Sequence, residues 1–175
     1  MLNIPKEIVK EGLGKTKGVA GRFETITNDK GISVIVDYAH TPDALENILN
    51  TAKEFAKSNI ITVFGCGGDR DTTKRPLMGE IAQRLSDVCI VTSDNPRTED
   101  PKLIIDDILK GLDENKENYR VVIDRREAIK EAIKIAQKDD VVIIAGKGHE
   151  NYQILGKVKH HFDDKETAQE FLNNK

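Results

Sequence analysis

Four short segments carry most of the side chains in this sequence that could do chemistry. They are Asp37-Tyr38-Ala39-His40-Thr41-Pro42, Gly65-Cys66-Gly67-Gly68-Asp69-Arg70-Asp71, Asp94-Asn95-Pro96-Arg97 and Gly146-Lys147-Gly148-His149-Glu150. The mixture suits recognition of carboxylates, phosphates and ammonium groups. Arg70 offers a planar fork of donors that matches a carboxylate or a phosphate. Pro96 holds Asn95 extended, which fixes how Asn95 and Arg97 are presented. The competing reading of Asp94 to Arg97 is a polar turn that caps the next helix. Asp100-Pro101 already supplies that cap, so recognition is favoured. Glu150 can pair with an ammonium group. Lys147 is either a phosphate contact or a solvated group. Asp37 accepts from a ribose hydroxyl or caps a helix, and both readings stay open. His40 sits at a helix N-terminus. The glycines from Gly65 to Gly68 serve either close approach to a ligand or a loop with positive φ, with Cys66 a small buried filler. Lys74 and Arg75 read as solvated or supporting groups.

These segments need elements to hold them. Five runs rich in Val and Ile occur at Ile32 to Val36, Ile60 to Phe64, Val88 to Thr92, Arg120 to Ile123 and Val141 to Ala145. Most are apolar at consecutive positions, as strands buried on both faces are. Between them lie segments of helical spacing. Asp43 to Lys57 follows Thr41-Pro42, a cap and a first-turn proline. The others are Pro76 to Leu85, Lys102 to Leu112 after Asp100-Pro101, and Arg126 to Lys138. A last helix begins near Asp163, with Glu166 as a capping-box partner. The alternation predicts an α/β fold: a doubly wound, mostly parallel sheet of about six strands, Rossmann-like, with helices on both faces. Ligands bind at the carboxyl ends of strands in such sheets, and the four segments fall there. Residues 1–20 read as a lead-in segment and 21–175 as the domain, with one edge strand near its start. Tyr152 to Leu155 and Val158 to His161 read as a short hairpin or edge strand.

Composition excludes several classes. The 175 residues hold 27 Lys+Arg against 30 Asp+Glu, a formal charge of −3, so no basic surface marks a nucleic-acid partner. No apolar run approaches the roughly 20 residues of a membrane span, and the N-terminus lacks the pattern of a signal peptide. Two Cys without CxxC spacing give neither a zinc site nor a disulfide framework, which points to a reduced, cytoplasmic protein. Cys89 reads as core. His160 and His161 alternate across a strand and so do not gather a metal. Gly12-Leu13-Gly14-Lys15-Thr16 is not a P-loop, because Val9 stands where the first glycine is needed.

Together the segments resemble the C-terminal domain of the Mur ligases, and within that family the branch that adds the third residue of the peptidoglycan stem peptide. The markers occur in order: Gly21-Arg22-Phe23-Glu24, then Asp37 to Pro42, Gly67 to Asp71, Lys74-Arg75-Pro76-Leu77-Met78, Asp94 to Arg97, and Gly146 to Glu150. The resemblance implies ATP-dependent amide formation through an acyl phosphate, with meso-diaminopimelate joined to UDP-MurNAc-L-Ala-D-Glu. It implies substrate contacts at Arg70, Asp94, Asn95, Pro96, Arg97, Gly146 and Glu150. It places Arg22, Asp37 and His40 beside ATP. It puts the P-loop, the Mg2+ ligands and the catalytic groups on a central domain on which this one packs, and the nucleotide sugar elsewhere again. The isolated chain is therefore not expected to catalyse. Arg97 favours diaminopimelate over the alternative, L-lysine. A non-catalytic amino-acid or nucleotide-binding module is the reading from another class.

Overall fold

The computed structural model describes residues 18–173, together with Pro5, Lys6 and Ile8. The Gly12 to Thr16 run and most of the lead-in lie outside the described residues. The six-stranded sheet contains β1 (Glu24–Ile26), β2 (Ser33–Asp37), β3 (Ile60–Phe64), β4 (Val88–Val91), β5 (Tyr119–Val121) and β6 (Val141–Ala145), in the order β1-β2-β6-β3-β4-β5. All pairs are parallel except β1 with β2, so β1 is the expected edge strand. The helices are α1 (Pro42–Phe55), α2 (Lys74–Leu85), α3 (Pro101–Leu109), α4 (Arg125–Ile135) and α5 (Asp164–Asn173). A separate hairpin joins β7 (Tyr152–Leu155) to β8 (Val158–His161).

The consecutive apolar runs explain the layering. Successive side chains of a strand point to opposite faces, so a run that is apolar throughout feeds two cores. Ile35, Phe64, Val91 and Ile143 join α1, α2 and α3 in one core; Val34, Val36, Val63, Ile90 and Ile144 join α4 and α5 in the other. The chain moves outward from β2 through β3 and β4 to β5 with its helices on the first face. It then returns over the second face through α4 and inserts β6 between β2 and β3. Right-handed crossovers require that reversal of face with reversal of direction. Leaving the sheet, β3 leads to the first face and β6 toward the second. A crevice opens between their carboxyl ends.

Local chemistry sets the boundaries. Thr41 Oγ1 accepts the Ala44 N–H, and Asp100 and Asp124 cap α3 and α4 by accepting from Lys102 and Glu127. Asp163 accepts the N–H groups of Lys165 and Glu166 at the start of α5. Several extents differ from expectation by one to three residues, α1 ending at Phe55 and β5 at Val121 among them, and three have a local cause. Helix α2 starts two residues earlier, at Lys74. Helix α3 stops at Leu109, because the next turn tightens: Gly111 and Leu112 donate to Ile108 and Leu109, three residues back. Helix α4 stops at Ile135 instead of reaching Lys138, because Asp140 captures the Gln137 N–H at 2.8 Å and turns the chain into β6.

Asp140 also accepts the backbone N–H of Asn59 at 2.9 Å, tying the start of β6 to the start of β3. Burial alone would raise its pKa, but the donors from Gln137, Ser58 and Asn59 outweigh it and hold the carboxyl below its ordinary 3.8. A lowered native pKa gives stabilisation that is full above pH 4 and lost as pH falls through the native value. Asp140→Ala should therefore lower unfolding free energy by about 1–3 kcal/mol at pH 7. Urea titrations at pH 7 and pH 3 should show the gap to wild type narrowing in acid; a gap that widens would contradict the role.

Candidate functional site

The loops after β2, β3, β4 and β6 converge on a cleft of about 460 Å³ at the carboxyl edge of the sheet. Its walls include Tyr38, His40, Arg70, Asp94, Asn95, Arg97, Gly146, Glu150 and Tyr152. Six of the seven expected substrate contacts thus meet in one place. Pro96 is the exception. It is buried beneath the wall, with its carbonyl directed at the Gly68 backbone and the Glu99 N–H.

The segment Asp94 to Arg97 is less open than its sequence implies. Asp94 and Asn95 are 6% and 4% exposed. Both ends of the Asn95 amide are engaged within the protein. Its Oδ1 accepts from Lys147 Nζ at 2.9 Å and from the Ile154 N–H at 3.0 Å, and its Nδ2 donates to Glu150 Oε2 at 2.9 Å. Asn95 builds the wall as much as it faces a ligand. Arg97 is the member of the segment that reaches outward. Its φ of +53° lies in the left-handed region, a strained conformation for a non-glycine residue. The surroundings enforce it: the Arg97 N–H donates to Ile154, its carbonyl accepts from Gly156, and its Nη1 donates to the Gly68 carbonyl at 2.7 Å. The hairpin β7–β8 thereby serves as a brace for Arg97.

Close approach explains the glycines after β3. A Cβ on Gly68 would stand 1.9 Å from the Pro96 carbonyl oxygen. The Gly68 N–H also donates to the Asn95 carbonyl at 2.9 Å. The loops after β3 and β4 therefore pack backbone to backbone, an explanation different from both ligand approach and positive φ. Gly146 has φ +120°, and a Cβ there would meet Asp94 Oδ2 at 2.8 Å. Arg70 is exposed on the cleft rim, with Nη1 3.2 Å from its neighbour's carbonyl.

Two basic residues are not the solvated groups that the sequence allowed. Lys147 is fully buried, bonded to Asn95 and to the Tyr152 carbonyl at 2.8 Å, with Asp94 Oδ1 at 3.2 Å. Arg75 is 1% exposed and pairs with Glu99 and Asp107, each at 2.9 Å. Burial would lower its pKa, but Asp107 and Glu99 reverse the direction and raise it. Glu99 also receives the Asp69 N–H, so Arg75 supports the glycine loop from below. A third buried cation, Arg125, was not singled out by sequence reasoning. It grips Asp164 through two bonds of 2.8 and 2.7 Å and donates to the Ala145 carbonyl at the end of β6. The one cue was its place, beside the cap Asp124 at a strand end.

The mouth of the cleft holds the remaining expected residues. Tyr38 lies between His40 and His149, with ring centroids 4.6 and 5.2 Å apart, and the Arg22 guanidinium is 5.9 Å from the Tyr38 ring centroid. His40 Nδ1 is 2.8 Å from the Tyr38 carbonyl, which assigns it the proton. Asp37 accepts from Phe23 at 2.7 Å and Ala39 at 2.8 Å, joining the lead-in turn to the loop before α1. Neither bond caps a helix, the alternative considered for Asp37: α1 is capped by Thr41, and Asp37 instead braces the turn at Phe23. Among the described residues no group of three or more His, Cys, Asp or Glu side chains is gathered as a metal requires. The donor set here does not fit a bound Mg2+. His160 and His161 lie on the exposed strand β8, and His161 pairs with Glu166. Cys66 and Cys89 are buried and unpaired, and burial pushes both thiols up to about 12. No helix among the described residues is long and apolar enough to cross a membrane.

Residues 21–148 match the profile described as "Mur ligase, glutamate ligase domain", and the chain belongs to that family. It is 71% identical over 99% of its length to a UDP-N-acetylmuramoyl-L-alanyl-D-glutamate–2,6-diaminopimelate ligase of Clostridioides difficile, covering 36% of that protein. It is 54% identical over 98% of its length to the protein of the same name from Oceanobacillus iheyensis, covering 35% of it. A solved structure of an enzyme with that name superposes with a TM-score of 0.85 at 44% identity, over 95% of this chain and 36% of the other. The chain thus spans about a third of the length of the relatives it matches.

The glycine contact gives a direct test of how the cleft is held. Gly68→Ala should lower unfolding free energy by about 1–3 kcal/mol, since the added methyl forces apart two loops joined by hydrogen bonds. Chemical denaturation measures it, and an unchanged midpoint would contradict the close packing.

Proposed function

We propose that this domain holds meso-diaminopimelate in an ATP-dependent ligase that joins it to the D-glutamyl carboxylate of UDP-MurNAc-L-Ala-D-Glu. The observation that carries the reading is that one cleft is lined by both signs of charge: the guanidinium groups of Arg70 and Arg97 and the carboxylates of Asp94 and Glu150. The distal end of diaminopimelate is a zwitterion, and this wall offers a partner for each of its charges. Arg97, with one N–H spent on Gly68, receives the distal carboxylate. Glu150 receives the distal ammonium, and the Gly146 carbonyl adds an acceptor. Arg70 receives the second carboxylate. The names of the relatives support this choice of amino acid.

ATP converts the D-glutamyl carboxylate to an acyl phosphate. The free amine of the held amino acid attacks that carbon; the C–N bond forms, the C–O bond to phosphate breaks, and the amine gives up a proton. Holding the amine near the acyl phosphate is the domain's contribution, by converting an encounter into a positioned reaction. No catalytic group is assigned to this chain. Arg22 and His40, with Asp37 behind them, face the ATP that lies between this domain and the central domain on which it packs. The Mg2+ belongs with that central domain. ATP and two buried free thiols fit a cytoplasmic setting.

The assignment of Arg97 is tested in the intact ligase that carries this domain. Arg97→Ala should raise KM for meso-diaminopimelate about 10- to 100-fold, the loss expected of a charged hydrogen bond, and change KM for ATP less than about twofold. Equal effects on both substrates would contradict the role.

A further inference from the structure

Lys147 is the buried cation nearest the cleft, and neither the fold nor the contacts proposed above account for it. Its ammonium is fully enclosed and meets three acceptors from two segments: Asn95 Oδ1 at 2.9 Å and Asp94 Oδ1 at 3.2 Å after β4, and the Tyr152 carbonyl at 2.8 Å at the start of β7. Glu150 Oε2 stands 3.8 Å away. Two of its N–H bonds are hydrogen bonds within the protein, the Asp94 and Glu150 carboxylates flank it, and none of its surface reaches solvent. A role in binding phosphate is thereby closed to it.

What the ammonium does is fix an amide. Lys147 Nζ and the Ile154 N–H both donate to one atom of the Asn95 side chain. Two donors converging on one atom require it to be the oxygen. The amide nitrogen must then face the other way, toward Glu150 Oε2, and that is where it donates. One oxygen of Glu150 thus accepts from Asn95, with the Lys147 ammonium 3.8 Å away, and the carboxylate, which also raises the pKa of the neighbouring Tyr152 hydroxyl, is oriented by these contacts at the cleft. The same ammonium lies between Asp94 and Glu150, two carboxylates on one wall.

We propose that Lys147 is a positioning residue for amino-acid selection: through Asn95 it aims the Glu150 carboxylate at the ligand's distal ammonium. The inference rests on reading the cleft as the amino-acid site. It separates Lys147 from a merely structural cation, because its effect must pass through Glu150.

A double-mutant cycle in the intact ligase tests it, with KM for meso-diaminopimelate, KM for ATP and the thermal midpoint as readouts. Glu150→Gln should raise KM for diaminopimelate about 10-fold or more, and Lys147→Met should do nearly the same. The double variant should be no more than about twofold worse than Glu150→Gln; a larger loss would mean that Lys147 acts through its other cleft neighbour, Asp94. KM for ATP should stay within about twofold throughout. Lys147→Gln, which keeps a donor without the charge, serves as the second variant should Lys147→Met not fold. Multiplying effects in the double variant, or a loss of kcat with both KM values moving together, would overturn the positioning role while leaving the amino-acid site in place. An unchanged KM for diaminopimelate in Glu150→Gln would overturn the reading of the cleft, and this inference with it.

Discussion

A single residue, Asn95, ties together three of the four loops that make the cleft. It accepts from Lys147 after β6 and from the backbone of β7, and it donates to Glu150. Its own backbone carbonyl accepts from Gly68 after β3. Buried polar groups must be fully paired to be tolerated, and here each partner's satisfaction depends on the others. The loops after β3, β4 and β6 consequently form one rigid wall. Arg97 and Glu150 are the parts of that wall that remain available, and their geometry follows from how the wall is tied.

The sheet makes this possible by its order. Inserting β6 between β2 and β3 brings the last strand's loop between the first two. The marker segments are separated by up to about a hundred residues in sequence and become neighbours only through that insertion. Buried ion pairs anchor the wall below. Arg125 with Asp164 fixes the carbonyl end of β6 from the second face, and Arg75 with Glu99 and Asp107 fixes the glycine loop from the first. Such pairs are costly to bury, and they specify one arrangement over others more than they add stability. Their position under the cleft fits that use.

Much of the fold was legible because the determining signals are local. Consecutive Val and Ile in β3 and β6, and the caps at Thr41 and Asp100, identified elements to within a few residues. Helix ends were less legible, since α4 is ended by the bond from Gln137 to Asp140, a carboxylate that Asn59, distant in sequence, holds in place. For the site, the residue types at strand ends indicated which segments converge. Burial was not legible. Lys147 and Arg75 look like surface residues in one dimension, because their partners Asn95, Glu99 and Asp107 are remote or belong to other elements. The glycines of Gly65 to Gly68 misled for the same reason: their neighbour is another loop's backbone.

The central claim is that the cleft selects an amino acid bearing a distal zwitterion. The most direct measurement is a competition in which the intact ligase receives equal concentrations of meso-diaminopimelate and L-lysine with ATP and the UDP-MurNAc-dipeptide. Mass spectrometry then counts the two tripeptide products. A site that would leave Arg97 without a carboxylate partner rejects lysine by about a thousandfold or more, so nearly all product should carry diaminopimelate. Comparable yields of the two products, or an excess of the lysine product, would contradict the account.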